Sequence, residues 1–195
     1  MNSLAVPIAR LAAPPLIAIL ILWGDNEFFL STAPISPWAY AAALTLFLAA
    51  SAFDLLDPGK ASGAADLGGA LSRASGLALT VCTLLALCKT SLPFDLGVAA
   101  VLIVARELAM IGLREGLTLS GLPLPAMEGA KLQTIAVLLG AGCALAAQTL
   151  IYFSVGVEVI VGLLWVARGA LWAGAALALL TGALFVRQAL AKPAA

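Results

Sequence analysis

Apolar residues run along this chain in long blocks of Leu, Ala, Ile and Val, without the period-two alternation of a half-buried strand. Six blocks stand out: about Ile8 to Trp23, Pro37 to Phe53, Ser72 to Leu87, Leu96 to Leu117, Lys131 to Phe153 and Leu163 to Ala189. Each is near the ~20 residues an α-helix needs to cross the hydrocarbon core of a bilayer. Lipid leaves helices or a closed barrel as spanning structures, and the composition of these runs predicts helices. Between the fourth and fifth blocks, SGLPLPAMEGA marks a turn by its two prolines and flanking glycines. Gly156 and Glu158 are expected in a loop or at a helix end. Pro14 and Pro15 lie inside the first block and no clean cleavage site follows, so it reads as a retained first helix and not as a signal peptide. There is no internal repeat, low-complexity tail or separate soluble stretch. The expectation is a single transmembrane domain over residues 1–195, all-α and integral to the membrane, with six transmembrane helices.

Composition agrees. The chain is 63% hydrophobic and 10% charged, whereas a soluble domain carries about 25% charged residues. Net charge is zero and no basic field invites nucleic acid. There is no His, which removes His catalysis and His metal ligands. Cys82, Cys88 and Cys143 lie in or at the ends of apolar runs and read as packing residues. An even number of spans puts both termini on one side. Arg10, Lys60, Arg73, Arg106, Arg114, Lys131, Arg187 and Lys192 fall on that side, and only Lys89 and Arg168 near the other. The positive-inside rule then places both termini and the loops around 54–73 and 114–131 in the cytoplasm, and a bacterial inner membrane is the expected location. Trp23, Trp38, Trp165 and Trp172 fit an aromatic belt. Glu158 and Arg168, near the outer face, read as interfacial residues or a helix-to-helix pair and not as a transport site.

The charges within the apolar blocks carry the functional signal. Ionised groups cost roughly 2.5–3.5 kcal/mol each at the centre of a membrane helix. Yet Ala105 to Thr134 places Arg106, Glu107, Arg114, Glu115, Glu128 and Lys131 in or beside long apolar segments. Such a cluster either binds something polar, with Arg suited to phosphate by its fork and Lys by its point charge, or pairs internally, as Arg106 with Glu107 or Arg114 with Glu128. Upstream, Asp54 and Asp57 are three residues apart. On a continuing helix they share a face and are candidate ligands for a divalent cation. Asp66, in a Gly-rich stretch nine residues later, is a further candidate. The plain alternative is a solvated loop with helix-terminal acids.

The chain resembles the CDP-alcohol phosphatidyltransferases, and within them the phosphatidylglycerophosphate synthase branch. IARLAAPPLIAIL is similar to that branch's first helix, ARELAMIGLREG to its GRE…LRE segment on the fourth, and AKLQT to its GKxKT. The resemblance implies a six-helix fold around a cytoplasm-facing polar cavity. In it, two divalent metals (Mg2+ or Mn2+) held by four aspartates bind the pyrophosphate of CDP-diacylglycerol. A hydroxyl of glycerol 3-phosphate attacks the β-phosphorus and CMP leaves, with the last aspartate as general base. It also implies phosphate and substrate binding by Arg106, Glu107, Arg114 and Lys131, membrane-lipid substrates and homodimers.

The signature DxxDGxxARx8GxxxDxxxD is broken here. Asp54 and Asp57 fit its first two aspartates, but Pro58 replaces the glycine and Ser62 the arginine. With three residues deleted, Ser72 and Gly76 occupy the third and fourth aspartate positions; without the deletion they are Ser75 and Leu79. In GKxKT, Ala130 replaces the glycine and Gln133 the second lysine. Loss of a general base typically costs 10²–10⁴-fold, so no catalytic residue is assigned. The expectation is an impaired transferase of phospholipid biosynthesis. The alternative is a pseudoenzyme that binds anionic phospholipid or scaffolds an active relative as a heterodimer. A transporter is disfavoured, because the charges crowd one face.

Overall fold

The computed structural model describes residues 5–25, 37–56, 67–89, 93–119 and 130–191. These residues form six helices: α1 (Ala5–Gly24), α2 (Pro37–Leu56), α3 (Leu67–Lys89), α4 (Phe94–Leu119), α5 (Ala130–Tyr152) and α6 (Val157–Ala191). No strand occurs among them. Packing runs round a ring, α1 on α2, α2 on α5, α5 on α6, α6 on α4, α4 on α3 and α3 back on α1, with α3 also touching α2 and α5. The core lies between them and includes Ile17, Ile21, Tyr40, Phe47, Leu84, Leu96, Ile103, Leu145 and Leu171. Large apolar side chains such as Leu16, Ile19, Leu48, Val101, Leu139 and Leu180 point outward, the inverse of a soluble surface.

Among the described residues, four helices are long and apolar enough to cross a membrane: Pro37–Leu56, Phe94–Leu119, Lys131–Tyr152 and Val157–Ala189. Further apolar helical stretches, Leu11–Gly24 and Ala74–Lys89, lie in α1 and α3. The lower apolarity of α3 follows from its opening LGGALSR, which is small and polar.

Where the sixth helix begins is a correction to the sequence reading. It starts at Val157, ahead of Leu163, and Glu158 lies in its first turn, where a carboxylate complements the helix dipole. The turn before it ends α5 tightly. Val155 N–H donates to the Leu150 carbonyl and Ser154 N–H to that of Ile151, both at 3.2 Å, with Ser154 left-handed at φ 54°. This is the paired-bond helix stop that usually carries glycine. It folds α6 back along α5.

Glycines set how closely those two helices approach. A Cβ on Gly140 would stand 2.7 Å from Leu171 Cγ and 3.0 Å from the Leu171 backbone nitrogen. A Cβ on Gly174 would stand 2.8 Å from Val137 Cγ2. Small residues at such crossings let backbones pack without a hydrophobic driving force, which lipid does not supply. At the far end, Asp95 at the start of α4 receives Arg168 of α6. Nη2 reaches Oδ1 at 3.1 Å and Nε reaches Oδ2, and the guanidinium stacks on Trp165 at 4.9 Å. Arg168 thus does join two helices, with Asp95 as its partner.

Gly140→Ala should lower stability by about 1–3 kcal/mol through overpacking. Gly169→Ala, where nothing lies within 4 Å of an added Cβ, should leave the thermal midpoint unchanged or raise it. Thermal unfolding of both variants in detergent checks this.

Candidate functional site

The ends of α2, α3, α4 and α5 opposite the Asp95–Arg168 pair surround a cavity of about 610 Å³. Its wall holds Asp54 from the end of α2, and Gly76 and Thr80 from the middle of α3. From α4 come Arg106, Glu107 and Arg114, and from α5 Gln133 and Thr134. A smaller cavity of about 300 Å³ adjoins it, lined mainly by apolar groups of α1, α2 and α3 and sharing Asp54 and Gly76. The spacing of the charges explains the geometry. Arg106 and Arg114 are eight residues apart on α4, close to two helical turns, so both face the same side.

Of the residues singled out in the sequence, Asp54, Arg106, Glu107 and Arg114 meet at this cavity. Lys131 sits exposed at the start of α5 and is not among the residues lining it. Asp57, Asp66 and Glu128 lie outside the described residues. Arg114 is exposed, with its guanidinium carbon 5.9 Å from the Phe185 ring centre on α6.

Arg106 and Glu107 are tied into a closed ring of hydrogen bonds. Arg106 Nη1 donates to Glu107 Oε1 at 2.7 Å. Gln133 Nε2 donates to the same oxygen at 2.8 Å. Thr181 Oγ1 lies 3.1 Å from Gln133 Oε1, to which it donates, and accepts from Arg106 Nη2 at 2.9 Å. Arg106 Nε also donates to the Ala178 carbonyl at 3.1 Å. The guanidinium crosses α6 beside Gly182, where its nearest side-chain atoms are 3.7 Å from an added Cβ. The Arg106 side chain is only 9% exposed, and a charge so buried needs its partners. Gln133 and Thr181, both buried, were not assigned to a site from sequence. The signal for Thr181 was a lone hydroxyl in the run ALALLTGALF.

The remaining wall is unusual for what it lacks. α3 contains no acidic residue from Leu67 to Lys89. No alignment register across the preceding loop therefore returns a carboxylate to that wall. Gly76, one of the positions at issue, lines both cavities, and Ser75 and Leu79 line the smaller one.

The family model of the CDP-alcohol phosphatidyltransferases matches residues 5–180. The chain belongs to the CDP-alcohol phosphatidyltransferase family. No curated protein matches it. The family consists of membrane transferases of phospholipid biosynthesis, acting on CDP-alcohol and lipid substrates and generally using divalent metal ions. With its four apolar helices, the chain is an integral membrane protein.

Two of the expected metal ligands, Asp57 and Asp66, lie outside the described residues. Among the described residues, no group of three or more His, Cys, Asp or Glu side chains comes together. Asp54 and Glu107 are the carboxylates on the described wall, and Glu107 Oε1 already accepts two hydrogen bonds.

Arg106→Ala should lower stability by about 3 kcal/mol, because it removes the positive charge that answers the Glu107 carboxylate and leaves it only the Gln133 amide. Arg114→Ala, at an exposed position, should shift it by less than about 0.5 kcal/mol. Equal shifts in thermal unfolding would contradict the distinction.

Proposed function

We propose that this chain is a phosphatidylglycerophosphate synthase-like member of its family whose transfer of a phosphatidyl group from CDP-diacylglycerol to glycerol 3-phosphate is impaired. The carrying observation is the cavity itself. It keeps Asp54, Arg106, Glu107 and Arg114 together, while the wall formed by α3 has no carboxylate. The ARELAMIGLREG segment supports the branch, since it supplies both cavity arginines. In this reading Arg106, Glu107 and Arg114, with Lys131, meet the acceptor and its phosphate. Asp54 and Asp57, with Asp66, are what remains for Mg2+ or Mn2+. All six helices cross a bacterial inner membrane as one domain over residues 1–195, with the cavity and both termini cytoplasmic.

The ring around Glu107 favours a second reading. A pseudoenzyme retains the fold and an arginine-bearing cavity, binds anionic phospholipid, and pairs with a copy of itself or with an active relative. There the hydrogen-bonded ring maintains the fold and the missing carboxylates are no loss.

A CMP-release assay separates the two. Purified protein is given CDP-diacylglycerol, glycerol 3-phosphate and Mg2+ or Mn2+, beside a relative that has all four aspartates. Impairment predicts turnover at least about 100-fold below that relative, abolished by Asp54→Ala or Asp57→Ala. No turnover, with anionic vesicles still bound, selects the pseudoenzyme. Turnover equal to the relative's contradicts both readings.

A further inference from the structure

We propose that the smaller cavity, between α1, α2 and α3, holds one acyl chain of a phospholipid resident in the protein, and that this chain and a metal-bound CDP-lipid cannot share the wall that α3 gives to both cavities. The inference deepens the lipid-binding reading above and is separable from it, since a chain site requires no particular head group.

Four observations carry it. First, the cavity is small and apolar. It measures about 300 Å³, at the lower end of the roughly 300–1,000 Å³ of ligand pockets. Pro14, Leu46, Phe53 and Leu79 line it, and Asp54 and Ser75 are the polar side chains among its walls. Ala13, Ala50 and Gly76 keep it open by their small size. A void of this kind stays dry and takes apolar ligands, and left empty its walls forfeit their dispersion contacts. Second, Ala49 and Phe53 of its lining are exposed on the outside of α2, a helix apolar enough to cross the membrane. The medium at that opening is hydrocarbon, which commits the occupant to a lipid chain. Third, the cavity meets the larger, polar one at Asp54 and Gly76. A chain seated in the first brings its head group to the second.

The fourth observation is where the cavity lies. In either alignment of the broken signature, a place for the fourth aspartate falls on its wall: Gly76 with the deletion and Leu79 without it. An aspartate there would set an ionised carboxylate against the chain, which is costly unless a partner or a metal answers it. Glycine and leucine remove that cost. The residues that strip the wall of acid are therefore the residues that make it fit a chain.

The test is photolabelling of the full chain in phosphatidylcholine nanodiscs, with a trace of phosphatidylglycerol that carries a diazirine on one acyl chain, read by peptide mass spectrometry. Bulk lipid labels outward residues such as Leu48. Pro14, Ser75 and Leu79 are buried, so label on them comes from inside the cavity. Ala50→Phe, which fills the space from α2, should cut that label by at least about tenfold, equivalent to losing roughly two buried methylenes. Ala13→Leu should cut it from the α1 side, and Gly76→Asp by returning the charge. Leu48→Phe should leave it unchanged. Thermal unfolding in the same nanodiscs identifies the folded variants. Wild-type protein labelled on outward residues and not on the buried three overturns the inference, as does label that survives in folded Ala50→Phe or Ala13→Leu. Label that survives in folded Gly76→Asp overturns the exclusion between chain and charge. The same diazirine chain on phosphatidylcholine separates the readings. Equal label upholds the chain site and overturns a preference for anionic phospholipid, whereas label from phosphatidylglycerol alone upholds both.

Discussion

A buried guanidinium inside an apolar bundle must be answered from within the protein, and Arg106 is answered by three helices at once. Its own helix supplies Glu107, α6 supplies Thr181 and the Ala178 carbonyl, and α5 closes the ring through Gln133. The cost of an ionised group away from water is large, and it is recovered only when geometry and hydrogen bonds are complete. The position of α4 against α5 and α6 is therefore fixed where the cavity begins. At the first turn of α4, Asp95 pairs with Arg168 and joins the same two helices, α4 and α6, this time with a charge on each. α4 is thus held to α6 at its first turn and at its middle, and Gly140 and Gly174 let α5 close on α6.

The cavity inherits its character from this arrangement. Polar groups that a sequence reader would assign to a ligand are in part spent on the fold. Arg106 is the clearest case: the same residue that marks the family segment is the bolt between helices. Arg114, two turns further on, is exposed, and its guanidinium lies near Phe185. A retained pocket beside an α3 without carboxylates is what remains when selection on fold outlasts selection on chemistry, on the reading proposed above.

Much of the architecture was legible because lipid imposes it. Block length and composition located the helices, α3 and α6 starting five and six residues earlier than expected, since a helix satisfies its own backbone in a bilayer. Gly156 precedes α6 and Glu158 stands at its end, as expected, but the helix begins six residues ahead of Leu163, with Glu158 in a first turn that favours acid. At the site, the i, i+8 spacing of Arg106 and Arg114 was readable along one helix. The Arg106 partner Thr181 was not, because it arrives from another helix and carries no charge that hydropathy would flag, and Gln133 was marked only by its place in AKLQT. The Asp95–Arg168 pair was hidden by distance along the chain: 73 residues separate its members.

The central claim is that the cavity survives while the α3 wall lacks the acids that two-metal transfer requires. Restoring them tests it most directly. Ser72→Asp with Gly76→Asp returns carboxylates to α3, Gly76 lying on the wall that Asp54 shares. Metal-dependent CMP release from CDP-diacylglycerol and glycerol 3-phosphate should rise about 100-fold or more over wild type. Wild-type protein that already turns over as fast as the restored variant would contradict the account.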